Sequence, residues 1–363
     1  MKKSLLAVAV AAALPAFAQA QSSVTLYGIL DASVEYSNDD ANSVINATNG
    51  NFTAGDATLR LNSSHQSGSR FGVRGVEDLG GGLKAIFTIE HRLNVDTGST
   101  AGGGFNTGNG TFWNGQAWVG LQGGWGQLTA GRQYSPIFWA LLPADFTGYG
   151  FYNNWAGFSG QNFGITPQGP IRIDNSLSYK SPTFGGLTVY AMYAFGELTN
   201  DLPTNGAGGG SGDIMGIAAG WQLGGLYLGA GYHSIDTDAG TGLESVLAAT
   251  ASYKFSNFGL SVGYTVNEFV NGAEAESLLL SAFLNIGPGT LYVNGSMTDL
   301  SGFPALRNDD GLQLGVAYSM PLSKRTNWYV SVGSNDFSGA EPVASTVSLD
   351  SALRVSVGVR HLF

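Results

Sequence analysis

"SVTLYGILDASVEY", residues 23–36, decides the fold. Val24, Leu26, Gly28, Leu30, Ala32, Val34 and Tyr36 share one parity, Thr25, Tyr27, Asp31, Ser33 and Glu35 share the other, and Ile29 is the misfit. Successive side chains of a strand point to opposite faces, so a period of two marks a ribbon with one apolar and one polar side. A run of about 13 residues outlasts the usual strand of a soluble sheet and can cross a bilayer when tilted.

The period repeats downstream. Over residues 57–76, Leu59, Leu61, Phe71 and Val73 oppose Thr58, Arg60, Asn62, Ser64, Arg70 and Arg74; over 83–92, Leu83, Ala85, Phe87 and Ile89 oppose Lys84, Thr88, Glu90 and Arg92. Further strands are predicted near 112–122, 126–133, 172–181, 186–196, 212–223, 226–236, 244–255, 259–269, 276–286, 290–299, 311–321, 327–334 and 351–363, sixteen with the first three. Short connections such as "QGGWG", "PTFGG" and "GPG" alternate with long polar ones. "EDLGGG", residues 77–82, is a turn rather than a phosphate-binding loop, because no helix follows it. Short turns at one end and long loops at the other are the asymmetry of an outer-membrane barrel, and an even strand count puts both termini at the periplasmic end.

Composition agrees. Glycine is 55 of 363 residues, and charged residues are 12%, about half the usual quarter, too few to cover a soluble protein of this size. A barrel with a lipid-facing apolar side and a polar lumen averages to near-neutral mean hydropathy, here +0.06. Residues 1–20, with Lys2 and Lys3, an apolar core from Leu5 to Ala18 and the small-residue ending Ala18-Gln19-Ala20, form a secretory signal peptide. Its removal leaves residues 21–363 as one barrel domain and, with two lysines gone, takes the formal charge from −10 to −12. No cysteine is present, so disulfides do not stabilise the exported chain, and no later stretch is long and apolar enough for a transmembrane helix. Aromatic residues near predicted strand ends, among them Tyr179, Tyr190, Tyr227, Tyr253, Phe255, Phe258, Tyr318 and Trp328, fit interfacial girdles. The fold class is therefore all-β, a 16-stranded antiparallel transmembrane β-barrel.

The terminal "ALRVSVGVRHLF", residues 352–363, alternates to its last residue and resembles the C-terminal strand of Gram-negative outer-membrane proteins, whose final aromatic, here Phe363, is read by the barrel-assembly machinery. Together with "SVTLYGILDASVEY", "SGSRFGVRGVEDLGGGLKAIFTIE" (67–90) and "AGRQYSP" (130–136), it makes the chain similar to the trimeric general porins of β-proteobacteria over essentially its whole mature length. The resemblance implies a homotrimer in the outer membrane, exported by the Sec pathway and contacting lipopolysaccharide. It also implies a third loop folded into the barrel, here the apolar, proline- and aromatic-rich connection of about 134–171, with Ile137, Phe138, Trp139, Leu141 and Leu142 as its anchor.

A sixteen-stranded barrel is too wide to be filled by its own side chains and leaves an aqueous channel. Arg60, Arg92 and Arg172 point inward by parity, whereas Arg132 shares parity with Leu128 and Ala130 and needs a bulge near Gly131 to do so. These four resemble the arginine cluster of the family's constriction, and Asp31, Arg74, Glu90 and Asp174 are further lumen candidates. The opposing acid of the family follows a proline; "PADFTGYG" (143–150) supplies only Asp145, one residue displaced. The expected activity is passive diffusion of small hydrophilic solutes and ions with mild anion preference; the alternative is a channel selective for a sugar or organic acid, using Trp139, Tyr149, Tyr152 and Trp155. No enzyme is expected, since His65 is loop-proximal, His91 and His361 share the lipid-facing parity, and His233 has no evident nucleophile. No cofactor, metal site or nucleic-acid partner is assigned, and the acids Asp39, Asp40, Asp56, Asp201, Asp236, Asp238, Asp309, Asp310 and Asp336 are placed on or near the outer loops as solvated charge, the alternative being divalent cations that bridge lipopolysaccharide.

Overall fold

Alternation in sequence becomes alternation in exposure. In the strand Phe258–Phe269, Leu260 is 57% exposed while Thr265, on the opposite parity, is fully buried. A wall that hides its polar side and bares its apolar side is built for lipid, with its hydrogen-bonding groups turned to an interior.

The computed structural model describes residues 22–38, 57–101, 111–152, 170–196, 212–236, 242–302, 311–336 and 352–363. β1 (Ser23–Ser37), β2 (Thr58–Ser63), β3 (Arg70–Gly80), β4 (Leu83–Arg92), β5 (Gln116–Gly123) and β6 (Gly126–Tyr134) lead into a short helix, α1 (Pro136–Leu141). Then come β7 (Arg172–Lys180), β8 (Leu187–Ala194), β9 (Ile214–Leu223), β10 (Leu226–Ile235), β11 (Leu243–Lys254) and β12 (Phe258–Phe269). β13 (Glu274–Ile286), β14 (Gly289–Ser301), β15 (Gly311–Pro321), β16 (Thr326–Asp336) and β17 (Ala352–Leu362) complete the chain. Each pairs antiparallel with its neighbours, and β1 closes on β17 from Ile29↔Leu362 to Ser37↔Arg354. Closure removes the free edges that lipid could not satisfy. The predicted signal peptide, the second half of the 134–171 connection with Trp155, and Asp39, Asp40, Asp56, Asp201, Asp238, Asp309 and Asp310 lie outside the described residues.

The second predicted strand is broken in two. β2 and β3 both pair with β1, at Ala32↔Ser63 through Ser37↔Thr58 and at Ser23↔Val76 through Ile29↔Arg70, so seventeen segments make sixteen staves. Asp31 causes the gap. Its carboxylate accepts from Gln66 N–H (2.7 Å) and Ser67 N–H (2.6 Å), its carbonyl from Ser64 N–H (2.9 Å), and its own N–H donates to Ser69 Oγ (3.0 Å). A side chain thus supplies the partners that a strand ladder would have given.

Gly81 and Gly82, at φ 62° and 81°, turn the chain between β3 and β4. The register of β6 on β7 shifts between Gly131 and Gln133, with Gly131 at φ 131°, so Arg132 leaves the parity of Ala130 and is buried. Trp125 stacks on Tyr179 and Phe255 on Phe258 beside the short turns, as interfacial rings do. Tyr227 and Tyr190 are not part of such a girdle. Tyr227 is buried with its hydroxyl on Ala140 O, and Tyr190 shares the parity of buried Met192 under the Lys180 ammonium.

Candidate channel constriction

Beyond β6 the strand pattern ends at Ser135-Pro136, a pair suited to start a helix. Ser135 Oγ accepts from Phe138 N–H (3.3 Å), and Pro136 occupies the first turn, where no amide is needed. Ile137 and Leu141 pack on Ile235, Leu243, Val246 and Ala248 of β10 and β11. His233 Nε2 accepts from Ile137 N–H (3.3 Å), and the Tyr227 hydroxyl donates to Ala140 O (2.8 Å). The helix lies this close because Gly231 has no side chain; a Cβ there would be 2.9 Å from Ile137 Cγ1.

The chain then continues along the polar parity of successive staves. Phe146 N–H donates to Ser281 Oγ (3.3 Å), and its ring meets Phe283 edge-on at 5.0 Å. Asn294 Nδ2 donates to Thr147 Oγ1 (3.2 Å), and Phe151 is buried with Ala317 and Tyr329. Phe151 N–H donates to His65 O (2.9 Å) in the broken stave. The Tyr152 hydroxyl donates to Glu35 Oε2 (2.7 Å) and lies 2.7 Å from Ser356 Oγ. Burial and the Glu35 carboxylate raise the Tyr152 pKa, so the phenol remains a donor.

Charge is gathered on the other side. Arg92 Nη2 and Arg172 Nη2 both donate to the Tyr134 hydroxyl, at 2.7 and 3.2 Å, and the Arg172 guanidinium stands 4.8 Å above the Tyr134 ring. Arg70, directly opposite Arg92 in the β3–β4 register, donates to Gly68 O (2.9 Å). Glu90 lies 3.3 Å from Arg92 and 3.7 Å from Arg70 and accepts from the Tyr27 hydroxyl at 3.2 Å. Three guanidinium groups therefore converge on one tyrosine and one carboxylate.

The structure brings Arg92 and Arg172 together but not Arg60 or Arg132 with them. Arg60 pairs with Glu35 at 2.5 Å and Arg132 with Asp174 at 2.5 Å, each in a separate ion pair. Arg74 lies over the Tyr27 ring at 5.4 Å. Asp145 caps its own turn, accepting from Thr147 N–H (2.9 Å) and the Thr147 hydroxyl (2.6 Å). Sequence parity turns Arg70 inward but does not assign it to the cluster. Counting back from the 81–82 turn sets Arg70 opposite Leu93, and it is the register shift between Asp78 and Gly80 that brings it opposite Arg92. Among the described residues, the inward parity of β8–β16 is uncharged apart from Lys254, whereas β1–β7 and β17 carry the lumen arginines with Asp31, Glu35, Glu90 and Asp174.

A closed sixteen-stave barrel, apolar outside and charged within, is a membrane channel. A profile of Gram-negative porins matches residues 7–340. The chain is 33% identical to outer membrane porin protein 32 of Delftia acidovorans over 390 residues and 30% identical to an outer membrane porin protein of Bordetella pertussis over 410 residues, with both chains covered in full each time. The solved anion-selective porin from Comamonas acidovorans superposes with a TM-score of 0.76 at 29% identity, covering 94% of this chain and all of that one. The chain belongs to the Gram-negative porin family, and its place is the outer membrane.

Proposed function

We propose that this porin passes small hydrophilic solutes and ions by passive diffusion with a mild preference for anions, through an opening narrowed by the connection 134–171. The observation that carries the reading is the convergence of Arg92 and Arg172 on Tyr134 and of Arg70 and Arg92 on Glu90. Fixed positive charge in a narrow aqueous passage with low-dielectric walls raises the local concentration of anions. The contacts of residues 136–152 with the polar parity from β10 to β17 support a loop lying inside the barrel. Asp145, held by Thr147, keeps its negative charge, and the arginines outnumber it. The anion selectivity of the Comamonas acidovorans porin is in keeping with this.

The same reading includes export with loss of residues 1–20, assembly guided by Phe363 and the barrel-assembly machinery, a homotrimer, and lipopolysaccharide against the apolar wall. Reversal potential across a planar bilayer in a potassium chloride gradient tests it. A potential of the anion-selective sign is expected, and cation selectivity refutes the arginine-dominated passage.

A further inference from the structure

Trp139 breaks the rule that the rest of α1 follows. Ile137, Phe138, Ala140 and Leu141 are buried, yet Trp139 is 37% exposed on the helix side away from β10 and β11. Its ring meets Tyr134 edge-on at 5.5 Å and Phe138 at 5.3 Å. Tyr134 is also the residue that Arg92 and Arg172 grip through its hydroxyl. One tyrosine therefore joins a solvent-facing aromatic plane to a cationic fork. Arg92 of that fork and Arg70, opposite it in the β3–β4 register, are partly exposed, and Glu90 between them offsets only part of the positive charge.

We propose that Trp139 and the Arg70–Arg92 pair form a subsite for small aromatic carboxylates, which deepens the anion-passing reading above and rests on it. A guanidinium binds a carboxylate through paired N–H groups, and an indole offers a face or edge to an aromatic ring. Chloride or acetate engages only the arginines, and a neutral aromatic engages only the indole. An aromatic carboxylate engages both and is retained longest.

The test uses the full-length channel in planar bilayers, with chloride current recorded while benzoate, acetate or benzyl alcohol is titrated. Benzoate is expected to reduce the current at about two- to tenfold lower concentration than acetate, the range an aromatic contact supplies, with benzyl alcohol inert. Trp139→Leu and Trp139→Ala should bring the benzoate-to-acetate ratio close to one, and Trp139→Phe should keep most of it. Equal action of benzoate and acetate, equal action of benzyl alcohol, or a ratio insensitive to Trp139→Leu overturns the subsite. The wild-type reversal potential on the same bilayers separates the two ideas. Anion selectivity without benzoate preference removes only the subsite, whereas cation selectivity removes the reading beneath it.

Discussion

Tyr152 donates its phenolic proton to Glu35 across 2.7 Å and so fastens the far end of the described loop to the first strand of the barrel. Glu35 is already engaged by Arg60 Nε (2.8 Å) and Asn62 Nδ2 (3.1 Å), which makes it a fixed post rather than a mobile acceptor. A hydrogen bond to a charged group contributes about 1.5–3 kcal/mol. Tyr152→Phe removes this bond while leaving the ring on His65, and we predict a noisier open-channel current of higher mean conductance. A quiet trace at wild-type conductance would count against the loop as the narrowing element.

Glu90 and Arg92 should act in opposite directions. Glu90→Gln leaves Arg70 and Arg92 without their shared carboxylate, and the reversal potential is expected to move further toward the anion limit. Arg92→Ala should move it toward cations. Shifts of the same sign would mean that the two side chains do not share one narrow zone.

Gly231 tests the seating of the helix. A Cβ there meets Ile137 Cγ1 at 2.9 Å and Ala218 Cβ at 2.8 Å, and overpacking of this kind costs about 1–3 kcal/mol. Gly231→Val should push α1 off the wall toward the lumen and lower single-channel conductance, with the barrel still folded by heat-modifiable mobility in gels. A folded variant with unaltered conductance would place α1 away from the ion path.

Closure of the barrel can be probed at its seam. Gly28 and Phe363 exchange both backbone hydrogen bonds at 3.1 Å, and a Cβ on Gly28 would stand 2.2 Å from Phe363 Cζ. Gly28→Val should therefore lower the yield of heat-modifiable barrel. If the yield is unchanged, the ring of Phe363 moves aside without penalty and the seam relies on the ladder alone.

Periodicity made most of the wall legible, because a residue's parity on a lipid-facing strand is set by the cost of placing it in hydrocarbon. The bulge at Gly131 was foreseeable for the same reason, since Arg132 on the Leu128 parity would face lipid. What parity does not carry is partnership. Arg60 and Arg92 are both inward, yet cross-strand register sets Arg60 opposite Glu35 and Arg92 opposite Arg70. The gap at 64–69 was hidden because it depends on Asp31, a residue on another strand, taking over hydrogen bonds that the local sequence does not reveal. Asp145 lies in a segment without a period, so parity carries nothing about its partner, Thr147 two residues away.

The resting place of Tyr152 has a consequence for biogenesis. It is assembled from Glu35 on β1, His65 in the interrupted stave and Ser356 on β17, so it exists only after the two extremities of the chain have met. Residues 136–152 are synthesised in the first half of the polypeptide, yet their berth is finished last. An intermediate lacking its final strand can offer Tyr152 the Glu35 carboxylate but not the Ser356 hydroxyl, so the berth is complete only once the cylinder has closed.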